Sequence, residues 1–236
     1  MTAIQARKLT KHYGSFPALV DLDLDVEPGE VFGFLGPNGA GKSTTIRVLM
    51  GELNPTSGAA TVLGAPPREV EHRRRLGYLP ADLALWPAMT GKETLKFFAN
   101  LRGGVDWGYV DQLIERLKAT VDKRVGELSS GNRQKIGLIA TFMHQPELLL
   151  LDEPNAGLDP LIQHEFWAMM REVADDGRTV FLSSHTLSEV ERVADRVGII
   201  RKGRLVAVEQ MSVLRERHGQ GADLEDIFLA YYQDEK

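Results

Sequence analysis

The feature that most constrains the fold of this chain is a glycine-rich segment, Gly36-Pro37-Asn38-Gly39-Ala40-Gly41-Lys42-Ser43-Thr44. It matches the pattern G-x-x-x-x-G-K-[ST], whose glycines let successive backbone N–H groups face a polyanion. An apolar run at residues 31–35 precedes it, and apolar residues at helical spacing follow it as far as Asn54 and Pro55. The pattern therefore predicts a strand, a phosphate-binding loop and a helix in that order. In this arrangement Lys42 reaches the β- and γ-phosphates of a nucleotide, and Ser43 supplies a hydroxyl to Mg²⁺.

Short apolar runs alternate with helix-like segments along much of the chain. Residues 22–26 alternate apolar and acidic side chains, which predicts a half-exposed strand. Three bare apolar runs follow at residues 148–151, 179–182 and 197–200, and a helix-like segment at residues 166–173 separates the first two. Such runs are typical of parallel strands covered on both faces, so an α/β fold with a mainly parallel sheet is predicted.

Residues 81–137 break this alternation, because their apolar positions keep helical spacing with no strand-like run between them. We predict a helical subdomain at residues 81–137, inserted into an α/β core made of residues 1–80 and 138–217. Residues 218–236 carry apolar side chains at helical spacing as well, which predicts a short C-terminal helical tail packed on the core.

A pair of acidic residues, Asp152 and Glu153, ends the apolar run at residues 148–151. At the carboxyl edge of a parallel sheet the pair would lie beside the phosphate loop, where ligands of such sheets bind. Asp152 is then expected to hold Mg²⁺ through water, and Glu153 to polarise an attacking water. Two solvated acids after a core strand are the alternative.

Composition limits the classes of partner. The 236 residues include 33 acidic and 28 basic side chains, for a formal net charge of -5. The chain therefore lacks the overall basic field that drives non-specific binding to nucleic acids, and no nucleic-acid partner is expected. It has no cysteine, which excludes disulfides, thiolate nucleophiles and Cys-ligated metal centres. No apolar stretch approaches the roughly 20 residues needed to cross a bilayer, and the N-terminus lacks an apolar signal, so a cytoplasmic chain is expected.

Four further motifs resemble those of the ATP-binding subunits of ABC transporters, in the order of that family. Leu128-Ser129-Ser130-Gly131-Asn132 is similar to the LSGGQ signature, residues 154–159 are similar to the D-loop, and residues 182–185 are similar to the switch-histidine loop. Tyr13 is similar to the aromatic residue that stacks on adenine in this family. The matches extend from about residue 4 to residue 205, and few other P-loop families share the set.

The resemblance implies a P-loop NTPase core with a mainly parallel sheet, an N-terminal antiparallel β subdomain and an inserted α-helical subdomain. It implies ATP as the bound nucleotide and Mg²⁺ as the cofactor. The catalytic residues that it implies are Lys42, Glu153 and His185, with His185 sensing the γ-phosphate.

The resemblance also implies two protein partners. Ser129, Gly131 and Asp159 would meet ATP bound by a second ATP-binding subunit, so that two subunits enclose two ATP molecules. The family works with an integral membrane permease, a separate polypeptide here, which places the chain on the cytoplasmic face of the cell membrane as a peripheral subunit.

Several of these residues have simpler structural interpretations. Tyr13 can be an ordinary strand tyrosine, and His185 can be a polar residue satisfied within the fold. Ser129 suits a cap and turn, and Asp159 followed by Pro160 is typical of a helix N-cap. For Asp159 the capping and ligand-binding roles are compatible.

The sequence departs from the family pattern in two places. Ser130 and Asn132 replace a glycine and the glutamine of the signature, while Ser129 and Gly131, which face the phosphate, are kept, so an active site with slower turnover is expected. In the loop at residues 77–82, the family's usual glutamine, a ligand of Mg²⁺, aligns with Ala81, which has no ligand atom. Asp82 at the next position is the expected substitute.

The leading interpretation is the ATP-hydrolysing subunit of a membrane exporter, because the C-terminal segment resembles those of drug, antibiotic and lipid-linked exporters. The main alternative is a soluble ABC ATPase acting on DNA or ribosomes. A monomeric P-loop kinase or GTPase would not use the signature, and Glu153 argues against a non-hydrolysing subunit. Four aromatic residues near the helical insertion belong either to a permease-docking surface or to the core: Tyr78, Trp86, Phe97 and Phe98.

Overall fold

The computed structural model describes residues 2–217, which lie in two β-sheets with helices packed around them. The strands are β1 Ile4–Tyr13, β2 Phe16–Val26, β3 Val31–Leu35, β4 Ser57–Val62, β5 Leu76–Leu79, β6 Leu148–Asp152, β7 Thr179–Ser184, β8 Arg196–Arg201 and β9 Arg204–Gln210. The helices are α1 Lys42–Leu49, α2 Val70–Arg73, α3 Gly91–Leu101, α4 Trp107–Arg116, α5 Ser130–Phe142, α6 Pro160–Asp175, α7 Leu187–Val193 and α8 Met211–Arg217.

The larger sheet has six strands in the order β5-β6-β7-β3-β8-β9. Its first five strands are parallel, and β9 returns antiparallel to β8. The predicted strands at residues 31–35, 148–151, 179–182 and 197–200 are therefore confirmed as neighbours in one mainly parallel sheet. Because the strands are parallel, the loops after β3, β6 and β7 emerge at the same edge.

Both faces of this sheet are covered, and successive residues of each central strand point to opposite faces. In β6, Leu148 and Leu150 pack with Phe32, Phe34 and α1 on one face. Leu149 and Leu151 pack on the other face with apolar residues of α5, α6 and α7. Burial on both sides explains why these strands appear in the sequence as unbroken apolar runs.

The smaller sheet is antiparallel, with the order β2-β1-β4, and it covers the face that carries α1. The half-exposed strand predicted at residues 22–26 is confirmed as the second half of β2. The N-terminal antiparallel β subdomain implied by the resemblance is likewise present.

Helices α3 and α4 and the start of α5 occupy the region predicted as the helical insertion, and no strand lies between β5 and β6 in the described chain. Thr90 caps α3 through a capping box with Glu93, and Asp106 caps α4 by accepting from Gly108 N. α5 runs without interruption from the signature to the core, so it joins the two parts rigidly. No helix within residues 2–217 is long and apolar enough to cross a membrane.

Two local predictions are wrong, and one lies beyond the described residues. α1 ends at Leu49 rather than near Pro55, because Gly51 has φ +69° and a Cβ there would lie 2.4 Å from the Pro67 carbonyl oxygen. Residues 76–79, interpreted as part of a loop, form β5 and pair with β6. The predicted tail at residues 218–236 lies outside the described part of the chain.

His144, after α5, makes stability depend on pH. Its Nε2 lies 3.0 Å from the Leu76 carbonyl oxygen, and its buried Nδ1 has no hydrogen-bond partner within residues 2–217. Burial lowers the pKa of His144 to about 4. Since an unfolded histidine has a pKa of about 6.5, the unfolded chain binds the proton more readily.

The contribution of His144 is thus complete above about pH 6.5 and is lost as the pH falls towards 4. We expect the free energy of unfolding to fall by at most about 3 kcal/mol over this range from His144 alone. In His144→Gln the fall should be smaller, as measured by urea unfolding at several pH values. An unchanged pH profile in the variant would contradict this assignment.

Candidate nucleotide site

The glycine-rich segment forms the loop between β3 and α1, at the carboxyl edge of the parallel sheet. The backbone N–H of Gly36 donates to the Ser184 carbonyl at 3.2 Å, which ties the start of the loop to β7. Gly41, with φ +113°, precedes α1, and no side chain caps that helix. A Cβ on Gly41 would lie 2.7 Å from the Ala18 carbonyl oxygen, so only glycine fits this turn. The uncapped N–H groups of α1 therefore face the cleft above the loop.

A cleft of about 310 Å³, here called the phosphate cleft, lies over this loop. It brings together many of the predicted residues, namely Tyr13, Asn38, Gly39, Gly41, Lys42, Ser43, Thr44 and Glu153. Gly36, Pro37 and Ala40 belong to the same loop beneath it. The side chain of Tyr13 is 45% exposed at the end of β1, which leaves its ring available for stacking.

Three catalytic candidates form a connected chain at the base of the phosphate cleft. Lys42 Nζ donates to the carbonyl oxygens of Gly36, at 2.7 Å, and Pro37, at 3.3 Å. It also lies 3.2 Å from Glu153 Oε1, while Glu153 Oε2 lies 2.8 Å from His185 Nδ1. The Glu153 carboxylate is therefore positioned between a cation and an imidazole.

The backbone at Glu153 adopts φ +49°, an uncommon conformation for a residue other than glycine. Its N–H donates to the backbone carbonyl and to the hydroxyl of Ser183, each at 3.2 Å. These bonds from the neighbouring strand hold the turn that aims the carboxylate into the cleft. Local strain of this kind is common at functional sites.

Asp152 ends β6 with its side chain buried, and its carboxylate accepts from the Ser183 hydroxyl. It makes no ion pair with any residue of the described chain. A buried carboxylate without a cation is costly, and carboxylate and hydroxyl oxygens are ligands that Mg²⁺ prefers. Asp152 and Ser43 are therefore the residues whose chemistry suits Mg²⁺. Within residues 2–217 there is no group of three or more His, Cys, Asp or Glu residues that could hold a metal ion.

The structure does not place Asp82 with these groups. Ala81 lines the phosphate cleft, whereas Asp82 lines a neighbouring groove of about 290 Å³ together with Tyr78 and Phe98. The one-residue offset thus separates Asp82 from Ser43 and the other residues that line the phosphate cleft.

The signature lies in a second cleft, of about 460 Å³, here called the signature cleft. Ser129 caps α5 by accepting from Asn132 N at 3.2 Å, so its hydroxyl hydrogen stays available to a ligand. Gly131 packs against the D-loop so closely that a Cβ would lie 2.3 Å from the Gly157 carbonyl oxygen. Asp159 caps α6 through Ile162 N, which confirms the predicted capping role.

The two clefts have no lining residue in common. Comparison with known proteins identifies the family of the chain. The family model described as "ABC transporter" matches residues 19–156, more than half of the chain. The chain belongs to the ABC transporter family.

Individual relatives agree with this assignment. The "Probable multidrug ABC transporter ATP-binding protein YbhF" of Escherichia coli is 39% identical over 213 residues, which are 87% of this chain and 37% of YbhF. The chain therefore spans little more than a third of that relative's length. The "Bacitracin transport ATP-binding protein BcrA" of Bacillus licheniformis is 37% identical over 222 residues, 92% of this chain and 72% of BcrA. A solved structure described as an "ATP binding subunit of ABC transporter" superposes with a TM-score of 0.87 at 30% identity, covering 98% of this chain and all of that one.

The fold also brings to the site some residues that no sequence motif identified. Phe16, 60% exposed, lines the phosphate cleft with Ala18 near Tyr13. Ser183 joins Asp152 to the backbone of Glu153. A polar residue where an apolar run ends was the available signal for Ser183, whereas Phe16 became evident only from the pairing of β1 with β2.

The contact between Gly131 and Gly157 provides a test of the ABC signature. Gly131→Ala is expected to lower ATP hydrolysis at least about tenfold, because the added Cβ forces the signature away from the D-loop. ATP affinity should change less than about twofold, because no residue of the signature cleft lines the phosphate cleft. Gly108→Ala in α4, where a Cβ meets only the Asp106 carboxylate, is the control. If Gly131→Ala lowered ATP affinity as much as ATP hydrolysis, the prediction that the signature affects hydrolysis without affecting ATP binding would be wrong.

Proposed function

We propose that this chain binds and hydrolyses ATP at a composite site made by two ATP-binding subunits. The observation that carries the proposal is that the phosphate cleft and the signature cleft are separate surfaces of one chain. No residue of the signature cleft lines the phosphate cleft, so in this proposal a second subunit supplies the signature to a γ-phosphate held by Lys42. Chemistry completed across two subunits makes hydrolysis depend on their association.

In this mechanism the incoming phosphates compete with Glu153 for the ammonium group of Lys42. Their arrival frees Glu153 Oε1, and His185 leaves Oε2, so that its ring N–H becomes available to the γ-phosphate. Glu153 then polarises the attacking water as a general base, and His185 donates a hydrogen bond to the γ-phosphate. Ser43 and Asp152 hold Mg²⁺, which neutralises phosphate charge when bound. Tyr13 stacks on the adenine.

The proposal is tested by measuring magnesium-dependent ATP hydrolysis of the purified chain together with its oligomeric state by gel filtration. A rate that rises with the square of the chain concentration at low concentration supports the composite site. A rate proportional to concentration from a strictly monomeric chain would contradict it.

We further propose that the groove between β5 and the helical region docks a membrane permease. Trp86 and Phe97 are 47% and 37% exposed beside this groove, with their ring centroids 4.7 Å apart, while Phe98 and Tyr78 are partly buried against the core. The first pair therefore suits a docking surface, and the second pair mainly supports the fold. Such docking would place the chain at the cytoplasmic face of a membrane.

The docking proposal predicts a loss of membrane association. In native membranes, Trp86→Ala with Phe97→Ala should lower the membrane-bound fraction of the chain severalfold, because exposed aromatic residues contribute most at such interfaces. The ATPase activity of the free chain should be unchanged. Val206→Ala, which truncates an exposed apolar residue on β9, is the control. If the unmodified chain, the double variant and Val206→Ala sedimented with the membranes to the same extent, the docking proposal would be wrong.

The names of the relatives support export as the direction of transport, since YbhF and BcrA are named for multidrug and bacitracin transport. The transported compound is selected by the permease, which is a separate polypeptide in this proposal. A soluble ABC ATPase acting on DNA or ribosomes is not favoured, because the relatives are named as transporter proteins.

A further inference from the structure

We propose that Lys118 and Lys123 contact the phosphates of ATP held by the second subunit, and that Asn132 is a positioning residue that holds these lysines at the signature. This inference rests on the proposed function and extends its composite site. Both lysines line the signature cleft together with Ser129 and Gly131.

The side chain of Asn132, near the start of α5, forms hydrogen bonds with the segment that follows α4. Its Oδ1 accepts from the backbone N–H of Thr120 at 2.8 Å, and its Nδ2 donates to the Thr120 carbonyl oxygen at 2.7 Å. Both polar atoms of the amide are therefore engaged on one peptide segment that lies between the two lysines. The residue that departs from the family's glutamine thus has a definite structural task in this chain.

The segment that carries the lysines is also anchored on its other side. The N–H of Gly91 donates to the Lys123 carbonyl at 3.1 Å, and the N–H of Lys92 donates to the Val121 carbonyl at 2.8 Å. Lys118 itself has φ +49° and ends α4 in a tight turn. With α3 on one side and Asn132 on the other, the backbone of the segment is held beside the signature, and its lysine side chains line the signature cleft.

The charges in the signature cleft favour an anion. Lys118 and Lys123 are exposed and form no ion pair with any residue between 2 and 217, whereas Lys135 lies 3.9 Å from Asp159. Glu127 is the other acidic residue that lines the cleft. Three lysines thus face two carboxylates in this cleft, and the two ammonium groups without an ion pair suit a triphosphate beside the N-terminus of α5.

The test uses the Glu153→Gln chain, in which ATP is expected to hold two subunits together. Dimer dissociation constants are measured by sedimentation with saturating ATP at low and moderate salt. Lys118→Gln combined with Lys123→Gln should raise this constant at least about tenfold at low salt and less at moderate salt, since exposed charges are screened. ATP affinity of the monomer, measured in dilute solution, should stay within about twofold.

Two matched variants control for charge and position. Lys92→Gln combined with Lys96→Gln removes two exposed lysines from α3, outside the cleft, and should leave dimerisation unchanged. Glu127→Gln removes the opposing negative charge and should lower the dimer dissociation constant. Removing positive charge and removing negative charge from the signature cleft should therefore change the dimer dissociation constant in opposite directions, as an electrostatic contact requires.

The role of Asn132 is tested by non-additivity. Asn132→Ala alone should weaken the dimer about as much as the lysine pair, but it should have little further effect once both lysines are glutamines. A residue that only supported folding would have the same effect in both backgrounds. Thermal unfolding of each variant verifies that the fold is retained.

Different results would contradict the composite site and the role of Lys118, Lys123 and Asn132. If Glu153→Gln dimerises with ATP but the lysine and Asn132 variants dimerise equally well, this inference is wrong and the composite site stands. If Glu153→Gln remains monomeric in saturating ATP and Mg²⁺, the composite site of two identical chains is wrong, and this inference fails with it.

Discussion

Glu153→Gln is expected to lower ATP hydrolysis by about 10²- to 10⁴-fold, while ATP remains bound and two chains stay associated. A glutamine keeps the shape of the side chain but cannot accept the proton of the attacking water. Glu153 lies 3.2 Å from Lys42 Nζ and 2.8 Å from His185 Nδ1, and these contacts support the general-base role that we propose for it. Removing its charge also removes repulsion against the phosphates, which favours the closed dimer.

Single-turnover hydrolysis and gel filtration with ATP and Mg²⁺ measure these two effects. Glu115→Gln, on the exposed surface of α4, is the control and should behave as the unmodified chain. Undiminished hydrolysis by Glu153→Gln would remove this residue from the catalytic role. A monomer in saturating ATP and Mg²⁺ would contradict the homodimer and leave a heterodimer with a different ATP-binding subunit.

Lys42→Met is expected to weaken ATP binding by about 10- to 100-fold and to bring hydrolysis below detection. The Lys42 side chain is only 6% exposed, and its ammonium group is held between two loop carbonyls and Glu153. Methionine retains much of the stem and removes the charge that attracts the β- and γ-phosphates. The free energy of unfolding should fall by no more than about 3 kcal/mol, because two loop carbonyls and Glu153 lose their largely buried cation while Glu153 keeps its contact with His185.

Isothermal titration with ATP and chemical unfolding measure these quantities separately. Lys96→Met, in α3, is the matched control for loss of a lysine charge. Unchanged ATP affinity in Lys42→Met would place the nucleotide elsewhere on the chain. A large loss of stability would instead identify Lys42 as a structural residue.

The parts of the fold that were predicted correctly are those set by local sequence. Bare apolar runs identified the buried strands β3, β6, β7 and β8, since a strand covered on both faces has no polar side to reveal. The end of α1 was mispredicted because apolar spacing continued beyond Gly51, whose close approach to Pro67 depends on the fold. β5 was missed because its four residues include a glycine and a tyrosine and lack a clear apolar period.

For the candidate site as well, some features could be predicted from the local sequence and others could not. The phosphate loop was predictable because its glycines and its lysine are contiguous. The separation of Ala81 from Asp82 was not, because it depends on how the chain leaves β5 beside the phosphate cleft. The hydrogen bonds of Asn132 could not be predicted either, because its partner Thr120 lies in the segment that follows α4 and not in α5.

By itself, the sequence determined the order of the buried strands β3, β6, β7 and β8, the glycine-rich loop and the chemical type of each candidate side chain, because these follow from local backbone preferences and from residue identity. Only the tertiary structure decided which distant groups meet: Glu153 with Lys42 and His185, Gly131 with Gly157, and Asn132 with Thr120. Those contacts depend on the register of parallel strands and on the packing of helices from separate parts of the chain, which no local pattern encodes.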